Sequence, residues 1–195
     1  MIPAFSKDDI ERGLDCYDPE HRVFPIFPSA KHKRKLDGRD VLLILKWKLG
    51  RIKGSNAATI CVSNLDKINT AIEMAGSSEH EYAALKCLEG VPGIGLATAT
   101  AILTVCYPDQ FTIIDQRVLE ALDLFPSRLA AHRPRNYSTN DWTAKDYIED
   151  YLPRARQISK QWGRTLRETD RALWGISVSR RIERIIASNQ ARKPS

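Results

Sequence analysis

From Asp40 onward the apolar residues of this chain recur at helical intervals. Val41, Leu42, Ile44, Leu45, Trp47 and Leu49 form one broadly apolar stretch that Gly50 brings to a stop. Asn64 stands where it can cap a helix running through Leu65, Ile68, Ile72 and Met74 to Gly76. Ser78 and Glu81 have capping-box spacing and open a helix with Tyr82, Leu85 and Leu88 on its apolar side. Gly90-Val91-Pro92-Gly93-Ile94-Gly95 interrupts the pattern. It resumes from Leu96 to Val105, where Ala97, Thr98, Ala99, Thr100 and Ala101 are small enough to pack closely against a neighbour. Tyr107-Pro108-Asp109-Gln110 makes a turn, and Asp115 opens a helix with Val118, Leu119 and Leu122 inside.

The pattern is less continuous at the two ends. Pro3, Pro19, Pro25 and Pro28 punctuate the first 35 residues, and Val23-Phe24-Pro25-Ile26-Phe27-Pro28 reads as an extended arm, since each proline steers its predecessor away from the α region. Beyond Phe125, Arg133 to Asn140 is a polar loop, with a helix start predicted from Thr139 to Trp142. Two or three helices follow: one with Tyr147, Tyr151 and Leu152, the next with Ile158, Trp162 and Leu166, and the last from Ile176 through Ile186. With no useful strand alternation and no internal repeat, the chain reads as all-α with short connections.

Composition narrows the class. At 195 residues, 43% hydrophobic and 28% charged, the chain has material for one domain or two subdomains sharing a core. The longest apolar runs, Val41 to Leu45 and Ala99 to Val105, fall far short of the roughly 20 residues a bilayer helix needs, so no membrane partner is expected. The acidic start lacks the apolar core of a secretory leader, which points to the cytoplasm. Cys16, Cys61, Cys87 and Cys106 are too widely spaced for a zinc knuckle or an iron–sulfur run, and read as free thiols, the last three packed as small apolar groups. His21, His32, His80 and His132 lack metal-ligand spacing, and neither a nucleophile elbow nor a phosphate loop of the Walker type is present.

The net charge of +6 is unevenly distributed. Residues 31–54 carry +7 and residues 126–195 carry +8, whereas residues 1–30 carry −3 and residues 55–125 carry −6. The two basic segments would form a cationic face if they meet; otherwise they are two solvated helix surfaces.

The acidic middle contains the most informative stretch. Leu88 to Ala99, a helix, a glycine turn and a second helix, would place successive backbone N–H groups at a helix N-terminus, where they can bind a phosphate without lysines. Gly93 and Gly95 permit the turn and keep side chains clear of the anion. A structural helix connection would account for Pro92-Gly93-Ile94-Gly95 equally well. Asp115, which lies 23 residues after Pro92 in Ile113-Ile114-Asp115-Gln116-Arg117-Val118, adds a second element.

Together these two elements resemble the helix-hairpin-helix DNA glycosylase superfamily, the group of endonuclease III and of the adenine and alkylbase glycosylases. The resemblance covers roughly residues 85–122, and the spacing from Pro92 to Asp115 agrees with endonuclease III. It implies an all-α, two-lobed fold, with residues 36–125 as the lobe bearing the hairpin, residues 1–35 and 126–195 as the other, and a cleft between them. It further implies Asp115 as catalytic carboxylate, and Val91, Gly93, Gly95, Ala97, Thr98 and Arg117 at the DNA. Double-stranded DNA would be the partner of a monomeric enzyme acting on a damaged or modified base. Bifunctional members carry a lysine two residues after the second hairpin glycine. Ala97 stands there instead, which implies a monofunctional hydrolase without lyase activity, and Lys86 would serve only with a different geometry. The four-cysteine cluster of endonuclease III is missing, so no cofactor is expected, although an alkali ion at the hairpin remains open. The basic C-terminal helices would take over the cluster's role.

Asp115 also suits a helix N-cap, a role compatible with catalysis. Trp47, between Lys46 and Lys48, is a candidate stacking wall for an extruded base, with Lys46 beside it in the pocket, or simply a core residue. Trp174 is similar, and Asp170 either reads the base or pairs with a nearby arginine. A non-catalytic helix-hairpin-helix DNA-binding module is the alternative to the enzyme. A protein-interaction domain would be favoured by basic segments on opposite faces.

Overall fold

The computed structural model describes residues 5–16, 35–49, 59, 62–129 and 136–190. The arm expected at Val23 to Pro28, Gly50 as a helix stop, Cys61 and most of the cationic run at Lys31 to Lys35 lie outside the described residues. Within them the chain is all-helical: α1 (Lys7–Cys16), α2 (Gly38–Leu49), α3 (Leu65–Ala75), α4 (Glu81–Glu89), α5 (Leu96–Cys106), α6 (Gln116–Leu122), α7 (Ala144–Asp146), α8 (Leu152–Trp162) and α9 (Leu166–Gln190). A π-helical turn, Tyr147–Tyr151, joins α7 to α8, and short 3₁₀ turns occupy Ser78–His80, Ser127–Leu129 and Thr139–Asp141.

Several helix starts are fixed by reciprocal side-chain and backbone bonds. Ser6 with Asp9, Asp37 with Asp40, Thr143 with Asp146 and Thr165 with Glu168 each exchange bonds across three residues, satisfying amides that the first helical turn cannot. The helix expected to open at Ser78 begins instead at Glu81, after a 3₁₀ turn over Ser78–His80, and its N-cap residue His80 makes no side-chain cap bond. Asn64 likewise precedes α3 without a side-chain cap bond. The start expected at Thr139 is a 3₁₀ turn closed by Trp142, and the helix proper opens after Thr143.

The C-terminal helices divide differently from the sequence pattern. Ile158 and Trp162 continue the helix of Leu152, and Gly163, at φ 61°, ends it. Leu166 belongs with Ile176 in α9, which runs unbroken through Gly175. That glycine is where α1 crosses α9: a Cβ on Gly175 would lie 1.7 Å from the Gly13 carbonyl oxygen, and one on Gly13 2.4 Å from the Ala172 oxygen. The backbones touch, and only glycine at both positions allows it.

One apolar cluster joins the helices. It includes Val41 and Ile44 of α2, Ile68 and Ile72 of α3, Leu85 and Leu88 of α4, and Ile102 and Leu103 of α5, together with Phe111, Tyr147, Tyr151, Ile158 and Ile176. Cys106 is buried and Cys87 half-buried, consistent with apolar packing. None of the described helices is long and apolar enough to cross a membrane.

Candidate functional site

The hairpin forms as the sequence suggests. Helix α4 ends at Glu89, Gly93 takes φ 87°, and α5 starts after Gly95 with no side chain capping it. A Cβ on either Gly93 or Gly95 would meet nothing within 4 Å, so the turn presents bare backbone to solvent at a helix N-terminus. Gly93 needs to be glycine for its φ; at Gly95 no contact within the fold requires it. The Gly90 carbonyl at the end of α4 accepts a 2.7 Å bond from Lys67 Nζ, a cation at a helix C-terminus. Not every residue assigned to the DNA is turned outward. Val91 is buried and its N–H goes to the Leu88 carbonyl, while Thr98 is buried with its N–H on Gly95. Ala97 is half-buried.

Between α5 and α6 the chain lies outside any helix and is almost wholly buried through Phe111, Thr112, Ile113 and Ile114. A buried segment outside a helix must find other partners for its peptide groups, and side chains from two directions supply them. Tyr147 Oη donates to the Thr112 carbonyl (2.7 Å) and accepts from the Thr112 N–H (3.3 Å), and Tyr151 Oη donates to the Ile113 carbonyl (2.6 Å). The Ile114 N–H donates to Thr100 Oγ1 (3.3 Å). Burial pushes both phenol pKa values up, so Tyr147 and Tyr151 stay protonated donors. The sequence grouped these tyrosines with Leu152 in one helix; their hydroxyls fix the segment that delivers Asp115.

Asp115 caps α6, accepting the Arg117 N–H at Oδ1 (2.9 Å), as its position before Gln116 suggested. Its Oδ2 receives Lys48 Nζ from α2 at 2.7 Å. Lys48 is 12% exposed and Asp115 28%, so the open side of the pair is the carboxylate. Burial alone would raise the Asp115 pKa, but the charge and hydrogen bond of Lys48 and the Arg117 amide outweigh it and hold the carboxyl below its usual range. Sequence reasoning missed Lys48 and chose its neighbour Lys46, which is exposed. Helical spacing held the signal, for Ile44, Leu45 and Lys48 share a side of α2 whereas Lys46 does not.

Asp170, one turn into α9, is 6% exposed and paired with Arg167. Arg167 in turn lies over the Trp47 ring, 5.4 Å from its centroid. Burial drives the Asp170 pKa up to about 6; Arg167 opposes the shift, Asp115 adds to it, and Lys48 and Arg171 oppose it. Asp115, Lys48, Asp170, Arg167 and Trp47 are therefore one electrostatic neighbourhood assembled from α2, α6 and α9. Trp174 is half-buried against the same core. The two basic segments do meet here, but the expected cationic face does not form at their junction, because Lys48 and Arg167 are largely buried and face Asp115 and Asp170.

Arg117 turns its guanidinium to Glu120 (3.1 Å), and Glu120 also receives Arg184 (2.8 Å) and the Ser177 hydroxyl (2.8 Å). A furrow of about 540 Å³ runs beside these groups, lined by Gln116, Arg117, Asn136, Tyr137, Arg181 and Arg184 among others. Lys86 points to solvent and pairs with Glu89 at 3.0 Å. Among the described residues no three His, Cys, Asp or Glu side chains converge as a metal site would require. Comparison with protein families, with characterised proteins and with solved structures finds no match to this chain.

Proposed function

We propose that the protein is a DNA N-glycosylase that hydrolyses the bond between deoxyribose and a damaged or modified base. Asp115 carries this reading. An ionised, partly exposed carboxylate stands at a helix N-terminus, after a buried segment held by Tyr147, Tyr151 and Thr100, 23 residues after Pro92 of the hairpin. Breaking an N-glycosidic bond builds positive charge on the sugar, and a fixed carboxylate beneath it stabilises that charge and orients the attacking water. The bare amides at Gly93 and Gly95 would hold a phosphate of the same strand. Trp47, Arg167, Asp170 and Trp174 would wall the pocket that receives the extruded base. In this reading the hairpin helices and the C-terminal helices are two lobes with the cleft at Asp115, and a single copy acts on duplex DNA.

Incubating the protein with duplexes that carry alkylated, oxidised or bulky bases, followed by alkali, tests this directly. Strand breaks at the modified position are expected with the natural protein and should disappear with Asp115→Asn. Salt-dependent binding without any base release would point instead to a non-catalytic DNA-binding module.

A further inference from the structure

The positive charge of residues 126–195 that forms no face at Lys48 and Arg167 surfaces further along α9, beside the helix that Asp115 opens. We propose that the furrow between α6 and α9 holds the phosphodiester backbone of the substrate strand next to the target nucleotide, with Arg181 and Arg184 on its phosphates. The proposal rests on the reading of Asp115 as the carboxylate beneath the sugar, because that residue places the strand.

Helical spacing sets the stripe of α9 that meets α6. Ser177, Arg181, Arg184 and Ser188 follow one another at three- and four-residue steps, and Ser177 and Arg184 both reach Glu120 of α6. Glu120 Oε2 accepts Arg117 Nη1 at 3.1 Å and the Ser177 hydroxyl at 2.8 Å, and its Oε1 accepts Arg184 Nη2 at 2.8 Å. Burial would raise the Glu120 pKa, but the bonds from Arg184, Ser177 and Arg117 outweigh it and hold the carboxyl below its usual range. Glu120 therefore stays ionised and fixes two guanidinium groups at the edge of the furrow. Arg181 is exposed and pairs with no acidic side chain among the described residues. Three guanidinium groups and one carboxylate line this furrow of about 540 Å³, a surplus of two positive charges. The hollow of about 570 Å³ that continues past Glu120, Tyr137 and Arg184 sets Arg180 and Arg184 against Glu120 and Glu183, and carries no surplus. An anion is thus favoured in the half that borders Gln116 and Arg117, directly after Asp115.

A nucleic-acid backbone suits this half better than a small anion. From Arg181 to Ser188 the helix rises about 10 Å, the axial length of about three nucleotides. Asn136, Tyr137 and Ser188 add neutral donors of the kind that accompany arginine at phosphate oxygens, and Ile185, 51% exposed, offers apolar surface to a sugar. Arg117 and Arg184 give Glu120 only part of their five N–H donors, so neither has to leave it to take a phosphate. The hairpin amides carry no net charge to exchange for counterions, so the salt dependence of binding reports the arginines.

A duplex with a tetrahydrofuran abasic-site analogue tests the assignment without knowledge of the natural base. Its affinity for the full chain, measured over a KCl series, should fall linearly on logarithmic axes. Arg181→Gln should flatten that slope by about 1 with its melting temperature unchanged, and the double variant with Arg184→Gln by about 2. Lys160→Gln, which removes an exposed cation of α8 outside the furrow, should leave the slope as it is. A single uncharged methylphosphonate within about three nucleotides of the analogue should weaken binding by the natural protein and add nothing to the loss in Arg181→Gln. Absence of binding, as expected if the furrow takes an acidic protein, would overturn the proposal. Equal slopes for the natural protein and the double variant, a slope lowered as much by Lys160→Gln, or methylphosphonate effects that persist in Arg181→Gln would do the same. Base release from the modified-base duplexes reports separately: if bases are released while the arginines leave the slope untouched, the glycosylase reading stands and the furrow falls. If the arginines set the slope but no base in the panel is released, the furrow assignment stands and the glycosylase reading is the one in difficulty.

Discussion

Asp115 and Asp170 share one electrostatic neighbourhood, and their carboxyls are pushed in opposite directions. Asp115 keeps part of its surface in solvent and gains an ammonium from α2 and a backbone N–H from its own helix, so ionisation is favoured. Asp170 sits deeper on α9 with Arg167 as its ion-pair partner, and desolvation plus the negative charge of Asp115 raise its pKa to about 6. The difference shows that an aspartate's protonation state is set by the balance of burial against its partners. In the proposed reading the first carboxyl would meet positive charge on a sugar. The other takes up its proton in mildly acidic solution.

The sharpest way to break this contrast is to strip Asp170 of its cation. Arg167→Ala should destabilise the fold by about 3–5 kcal/mol at pH 7, the usual cost of orphaning one member of a buried pair. Urea titration measures this, and a loss under 1 kcal/mol would show that Arg167 is not what stabilises the buried carboxylate. Asp115→Asn keeps a residue suited to the N-cap but takes the counter-charge from the largely buried Lys48, and should cost about 1–3 kcal/mol. The same change should reduce base release by about 100- to 1,000-fold if the carboxylate provides the electrostatic stabilisation proposed for it.

The pH dependence of stability separates the two groups by sign. The folded Asp170 pKa of about 6 exceeds its ordinary 3.8, so the folded state holds the proton more tightly than the unfolded chain. Stability from this group is therefore full below pH 3.8 and falls as pH rises to about 6, by about 3 kcal/mol in all. Asp115 works the other way: its lowered pKa adds stability above its ordinary value, and that is lost as pH falls through the folded pKa. Melting the natural protein and Asp170→Asn side by side from pH 4 to pH 8 should show the natural protein losing ground to the variant as pH rises. Parallel curves would remove Asp170 from the account.

A smaller change bears on Asp115 alone. Tyr151→Phe leaves the buried Ile113 carbonyl without its 2.6 Å donor, and about 1–3 kcal/mol of stability should go with it. Because the buried segment then holds Asp115 less firmly, base release should fall more than stability alone explains, while the pH dependence assigned to Asp170 stays in place. Enzyme assays well below the melting temperature would separate the two effects.

Much of the helical layout is legible in the sequence. The stretches around Val41 to Leu49, Leu65 to Met74 and Leu96 to Val105 are helices because their apolar residues recur at helical spacing. Helix α1 escaped that reading because prolines dominate the first 35 residues, although Ser6 and Asp9 already carry the spacing of the box that starts it. Gly175 was equally opaque. A glycine inside a helix suggests a break, and only the arrival of Gly13 from α1 shows why it is retained there.

The sequence by itself determined the helical class, the glycine hairpin with its positive-φ Gly93, and Asp115 as a helix cap, because each depends on residues within a few positions of one another. The tertiary structure alone decided that Lys48 rather than Lys46 faces Asp115, that Arg167 rests on Trp47, and that Tyr147 and Tyr151 hold the buried segment before the carboxylate. These partners lie between about 35 and 120 residues apart in the chain. Burial and pairing across that distance, which set the two aspartates apart, arise only once α2, α6 and α9 are packed together.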